Sequence, residues 1–274
     1  MPTLSKKKRS GVVSAKQAPK PSSIKMTSMQ KNPWTVTRRL IAMVFVIFLV
    51  FGYIQLRDIK KANSTALAAL NSTDTVTATR GDGAYTFTPI PESKVGFIFY
   101  PASRVEYKSY APLMQRLAQQ GIFCVMTEMP LNLSSLDRSA ASIYLKQYPE
   151  ITTWFVGGHT LGGKTAASYA AKNLDRISGL VLLSAYSGRD LTKSDLPVLS
   201  IIGDQDGVLD RSRYESGLKR LPDTAQIEVI QGGNHAGFGS YGEEEKDGTA
   251  TISEEEQWDK TAQLIADFIH AVAK

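Results

Sequence analysis

Three short loops of this sequence gather side chains capable of nucleophilic chemistry. Gly158-His159-Thr160-Leu161-Gly162 sets a hydroxyl between glycines. Gly203-Asp204-Gln205-Asp206-Gly207 offers carboxylates, and Gly232-Gly233-Asn234-His235 offers an imidazole. A hydroxyl becomes a nucleophile when an imidazole takes its proton, and a carboxylate on the other ring nitrogen holds the imidazole in the right tautomer. The chain order is hydroxyl, acid, histidine. The first loop follows an apolar run, Thr153–Val156, and opens a helical pattern from Gly163. A strand, a turn flanked by glycines and a helix make a sharp elbow, where glycine lets two backbones approach closely. The start of the helix aims free N–H groups and a positive dipole end at the turn, which suits a developing oxyanion.

Each residue also has a structural reading. Thr160 is a good helix N-cap. Asp206 competes with Asp204, which suits an Asx turn, and with Asp210. His159 is expected inside the fold, His270 on the surface of the last helix, and Cys124 in a buried strand as a small core residue. One cysteine excludes an intramolecular disulfide framework and a Cys-rich zinc site, and three histidines leave little room for an imidazole-bound metal. No metal or organic cofactor is expected. Glu243-Glu244-Glu245 and Glu254-Glu255-Glu256 read as a solvated loop and the first turn of a helix.

The elements that must position these loops alternate regularly. Val95–Tyr100, Ile122–Met126, Thr153–Val156, Gly179–Leu183, Val198–Ile202 and Ile227–Ile230 are nearly continuous apolar runs, as expected of strands buried on both faces. Helical patterns at Tyr110–Gln120, Ser139–Gln147, Gly163–Asn173, Arg211–Arg220 and Glu254–Val272 separate them. Repeated β-α-β predicts a doubly wound α/β fold, mostly parallel, with helices on both faces. Sites of such sheets lie at strand ends, where all three loops fall. The stretch between Gly179–Leu183 and Val198–Ile202 is too short for a cap domain, which predicts an open, shallow site.

The N-terminal part reads differently. The 274 residues carry a net charge of +6, but residues 1–39 hold ten of the 32 Lys+Arg and no acid. The remainder is therefore net acidic, with 22 Lys+Arg against 26 Asp+Glu. Rich in Lys, Ser and Pro, residues 1–39 are expected to be a disordered tail. Leu40–Leu56 carries no charge and, at about 1.5 Å per residue, spans roughly 25 Å as a helix. Trp34, Tyr53, Arg38, Arg39 and Arg57 suit its two interfaces. These features predict a transmembrane anchor with a cytoplasmic N-terminus, rather than a cleaved signal peptide, because the charged Arg57-Asp58-Ile59-Lys60-Lys61 directly follows the apolar run. The tail is expected to meet anionic lipid rather than nucleic acid, being tied to this span. Residues 57–83 read as a spacer and 84–274 as the folded domain. Asn63-Ser64-Thr65, Asn71-Ser72-Thr73 and Asn132-Leu133-Ser134 match the glycosylation tripeptide.

From about Val95 to Phe268 the sequence resembles the α/β-hydrolase superfamily, in its small, lidless, membrane-anchored subgroup. The text that carries this is Phe99-Tyr100-Pro101, Val105-Glu106-Tyr107, Met129-Pro130-Leu131-Asn132-Leu133, Gly157-Gly158-His159-Thr160-Leu161-Gly162-Gly163, Gly203-Asp204-Gln205-Asp206-Gly207-Val208 and Gly232-Gly233-Asn234-His235-Ala236-Gly237-Phe238-Gly239. The resemblance implies that His235 is the general base and Asp206 its hydrogen-bond acceptor. It implies oxyanion donors at the backbone N–H of Leu161 and of Ala102 or Ser103. It implies hydrolysis of a small-molecule ester or acyl substrate. Two departures stand out: Thr160 occupies the position of the family's serine, and Ala102-Ser103 replaces glycine. A β-branched residue at a positive-φ elbow is strained by about 1–3 kcal/mol, and its methyl crowds the attacking oxygen. The alternative expectation is therefore a catalytically silent binding or cell-envelope scaffold on the same fold.

Overall fold

A computed structural model describes residues 2–3 and 33–274; most of the basic tail lies outside the described residues. The chain divides into two compact units, Met1–Phe48 and Leu49–Lys274. Helix α1 (Pro33–Arg57) begins in the first. It is longer than the uncharged run alone, because Pro33 suits the first helical position and Arg38 and Arg39 are good helix formers. Its segment Trp34–Ile54, 21 residues, has no buried part. At about 1.5 Å per residue such a segment reaches the roughly 30 Å of a hydrocarbon core. The helix is long and apolar enough to cross a membrane, a property that anchors and signal sequences share.

The second unit is built on strands β1 (Val76–Gly81), β2 (Ala84–Pro89), β3 (Val95–Tyr100), β4 (Phe123–Thr127), β5 (Thr153–His159), β6 (Gly179–Leu183), β7 (Val198–Gly203) and β8 (Gln226–Ile230). They form one sheet in the order β1-β2-β4-β3-β5-β6-β7-β8. Pairing is parallel from β4 through β8, and β1 and β2 are added antiparallel at one edge. Helices α2 (Ser64–Ala68), α3 (Ala111–Gln119), α4 (Ala141–Gln147), α5 (Leu161–Ala170), α6 (Arg211–Leu218) and α7 (Glu254–Val272) complete it.

Alternation along β3 explains the two layers. Phe97 and Phe99 join Leu113 and Met114 of α3 and Ile265 and Phe268 of α7 in one core. Ile98 and Tyr100 point the other way, into a core with Tyr144 of α4 and Ala166 and Ala167 of α5. Helices thus cover both faces, as the β-α alternation predicts.

Two expectations change. Residues 57–83 hold more than a spacer: Lys60 bridges to Val105, Asn63 Oδ1 caps α2, and β1 pairs with β2 along its whole length. The sheet therefore starts at Val76, ahead of residue 84. The strand β8 is not buried on both faces either. It is the sheet's last strand, and Ile227 and Val229 are 42% and 43% exposed. Residues 184–197, between β6 and β7, form neither helix nor strand, so no cap domain is inserted there.

Candidate active site

The order of the sheet reverses between β3 and β5, which opens a crevice beyond their carboxyl ends. The loop after β3 carries Ala102 and Ser103, and the turn after β5 carries Thr160. Asp206 follows β7 and His235 follows β8, so the fold delivers all the sequence candidates to the same sheet end.

Thr160 sits between β5 and α5 at φ 47°, ψ −111°. Its backbone is fixed on both sides, its N–H donating to Leu183 O at 3.0 Å and its carbonyl accepting from Lys164 N at 3.1 Å. The glycines are required by close approach. A Cβ on Gly158 would strike the Tyr100 carbonyl and the Gly162 backbone, and one on Gly162 the carbonyls of Tyr100 and Pro101. Thr160 Oγ1 makes no capping hydrogen bond, so the side chain is not held there as an N-cap. It is partly exposed.

His235 Nδ1 donates to Asp206 Oδ2 at 2.9 Å, with both side chains essentially buried. The same oxygen accepts from Ser184 Oγ at 2.6 Å. Asp206 Oδ1 accepts from Val208 N at 3.0 Å and Leu209 N at 2.8 Å. Burial pushes the Asp206 carboxyl up, but the hydrogen bond and charge of His235, with the Ser184 and Leu209 hydrogen bonds, outweigh it and hold the group down at about 2. Asp206 is thus a firm carboxylate that orients the ring. Its rivals have other partners: Asp204 Oδ1 accepts from Gly232 N, and Asp210 caps α6. His235 Nε2 makes no hydrogen bond among the described residues and is not among the sealed polar atoms.

Beneath this pair lies His159. It is fully buried, and its ring centroid is 4.5 Å from that of His235. This places His235 beside the elbow. Burial, and then the proximity of His235, push the His159 pKa well below 6.5, so the ring is neutral. Tyr110 Oη lies 2.9 Å from His159 Nδ1 and accepts the Ala102 N–H at 3.3 Å, which leaves Tyr110 to donate to the imidazole. His159 Nε2 is buried without a partner among the described residues. The Tyr110 contact changes the reading of the oxyanion donors. The Ala102 N–H is already engaged, whereas the N–H groups of Ser103 and Leu161 find no acceptor among the described residues.

Residues 96–259 match the family described as the alpha/beta hydrolase family. The chain belongs to that family. Among solved structures, this hydrolase is similar to a membrane phospholipase A described as a bacterial virulence factor, with TM-score 0.54 and 12% identity over 87% of this chain and 99% of that one. It is also similar to TT1662 from Thermus thermophilus, with TM-score 0.53 and 13% identity over 72% and 97% of the two chains. For a soluble variant of monoglyceride lipase from Saccharomyces cerevisiae the values are 0.51 and 12%, over 73% and 96% of the two chains. At these identities the likeness is one of fold. No curated protein matches the sequence.

Three residues that hold the hydrolase site together are not among the site residues that the sequence motifs pick out. Ser184 at φ 42° directly follows β6 and bonds Asp206; its signal is a small polar residue after an apolar strand. Tyr110 was legible only as the start of a helix. Asp247 lies in what reads as a solvated acidic loop, yet its carboxylate accepts four backbone N–H groups. They come from Gly207 at 3.1 Å, His235 at 3.2 Å, Gly248 at 2.9 Å and Ala236 at 2.8 Å. It ties the loop of Asp206 to the loop of His235. Cys124 is fully buried, as expected of a core residue, and His270 is exposed. Among the described residues no cluster of three or more His, Cys, Asp or Glu side chains could hold a metal.

Proposed function

We propose that this chain is a membrane-anchored, extracytoplasmic hydrolase of carboxylic esters or related acyl bonds, using Thr160, His235 and Asp206. The observation that carries the reading is the buried Asp206–His235 hydrogen bond beside an elbow held at φ 47°. In this scheme His235 Nε2 takes the Thr160 hydroxyl proton as Oγ1 adds to the carbonyl carbon. The N–H groups of Leu161 and Ser103 receive the oxyanion. Collapse expels the alcohol, which leaves with the proton from His235, and water then hydrolyses the acyl-threonine by the same steps. The anchor is α1, with residues 1–39 on the cytoplasmic side and the domain outside, as the cluster of cations ahead of the apolar run favours.

Two observations favour the second reading, a catalytically silent binding or scaffold protein. Thr160 Oγ1 and His235 share no hydrogen bond, and Tyr110 occupies the Ala102 N–H. Catalytic contacts that are long in a free enzyme often tighten only with substrate bound, which keeps the first reading ahead. The test is hydrolysis of short-chain aryl esters by the full chain in detergent, comparing wild type, Thr160→Ser and His235→Ala. Turnover by wild type that His235→Ala abolishes is the expected result. Silence in wild type with turnover by Thr160→Ser means that the machinery is intact but switched off at the nucleophile, and refutes the enzyme reading.

A further inference from the structure

We infer that the substrate carries an anionic group, a carboxylate or phosphate, held in a basic pocket beside the elbow; this rests on the hydrolase reading above. A cavity of about 290 Å³ lies along the first turns of α5. Its walls include Leu161, the residue after Thr160, and then Lys164, Ser168, Ser135, Arg138 and Arg189. Three cations line it and no carboxylate does.

Those cations are not neutralised elsewhere. None of Arg138, Lys164 and Arg189 takes part in an ion pair among the described residues. Asp137 and Asp190, their chain neighbours, are turned to their own loops, Asp137 Oδ1 accepting from Ser139 N and Asp190 Oδ1 from Thr192 N. Arg189 Nε donates to Ser168 Oγ at 3.4 Å, and the outer N–H groups of its fork meet no acceptor among the described residues. Lys164 Nζ lies 5.5 Å from the Tyr186 ring, over its face.

Cations gathered around one cavity repel each other, and an anion among them turns that repulsion into attraction. The guanidinium fork matches the oxygens of a carboxylate or phosphate. Leu161, 49% exposed, adds an apolar wall for the carbon skeleton next to the charge. The cavity is at the small end of ligand sites, so it takes a charged group with a few carbons rather than a long chain.

Phenyl phosphate tests the pocket without needing acyl chemistry. Calorimetric titration of the full chain in a neutral detergent should give saturable binding that weakens with salt. Lys164→Ala/Arg189→Ala should weaken it about tenfold, while Arg189→Lys should lose less, the charge being kept without the fork. A matched thermal melt checks that the double variant is folded. Equal affinity in wild type and double variant, or no saturable binding by wild type, overturns the inference. A second readout uses turnover. The ratio of kcat/KM for an aryl hydrogen glutarate to that for the neutral aryl butyrate should fall about tenfold in the double variant. Butyrate turnover without phenyl phosphate binding removes the anion pocket and leaves the hydrolase reading standing. Phenyl phosphate binding without any ester turnover does the reverse.

Discussion

Replacing Asp247 tests whether one carboxylate holds the acid and histidine loops together. Its two shorter hydrogen bonds, from Ala236 at 2.8 Å and Gly248 at 2.9 Å, are of normal length, and those from Gly207 and His235 are 3.1 and 3.2 Å. A hydrogen bond to a charged group is worth about 1.5–3 kcal/mol when buried. Asp247 is only partly buried, so water can reach the freed donors and the values shrink. With about 1 kcal/mol for each shorter bond and about 0.5 for each longer one, Asp247→Ala should cost about 3 kcal/mol. With a urea m-value of about 3 kcal/mol/M, the midpoint of unfolding falls by about 1 M. Asp247→Asn should lose less, because one amide oxygen can still accept while the amide NH2 faces a donor. Urea titration followed by tryptophan fluorescence measures both variants. If catalysis is present, kcat should fall by at least tenfold in Asp247→Ala, since an ångström of misplacement in His235 costs about a hundredfold. A midpoint within about 0.2 M of wild type refutes the claim that Asp247 is the clamp.

Two further outcomes follow from the buried network. Tyr110→Phe removes the hydroxyl between the Ala102 N–H and His159 Nδ1 and leaves two buried polar groups unpaired. It should destabilise the fold by about 2–4 kcal/mol, read as a lower urea midpoint, and a change below about 0.5 kcal/mol would discard the network. Acid should destabilise the protein in two stages. His159 has its pKa lowered by folding, so the unfolded chain binds a proton first and stability falls below pH 6.5, by up to about 1.4 kcal/mol per pH unit. Asp206 is depressed to about 2, so its contribution is complete above the usual carboxylate range near 4 and is lost as pH falls through about 2. The first stage should vanish in His159→Gln; its persistence there would assign it to another group.

The frame of the domain was legible because burial on both faces writes itself as apolar runs. The ends of β3, β6 and α7 coincide with the residues read from the pattern. The hairpin of β1 and β2 was not, because VTATRG is polar and small, as a spacer would be, and its neighbours sit at the sheet edge. Its one clear signal was Asp82-Gly83, the two-residue turn between partners Gly81 and Ala84. Strand periodicity also hid the exposure of β8, since apolar residues on an edge strand look the same as buried ones. At the site, position after a strand brought out the loops of Asp206 and His235. It could not find Ser184, Tyr110 or Asp247: Ser184 meets Asp206 22 residues on, Tyr110 meets His159 49 residues on, and Asp247 binds three separate turns.

Backbone strain and costly polar burial converge around Thr160. A β-branched residue at φ 47° stores about 1–3 kcal/mol that a residue in a relaxed turn would not. Helix capping does not offset that cost, because Oγ1 makes no capping bond. Close by, the fold also keeps a buried carboxylate paired to a histidine, and a second histidine with one buried nitrogen unpartnered among the described residues. Each of these would be cheaper as an apolar residue. Together they are the arrangement in which a hydroxyl, a base and its orienting acid stay fixed without rearranging as charge develops. The hydroxyl of Thr160 is the same group that serine would supply; the methyl is the difference. Whether the proposed hydrolase turns over is therefore a question about the space around one methyl group, which substitution by serine removes while leaving every backbone contact of the elbow in place.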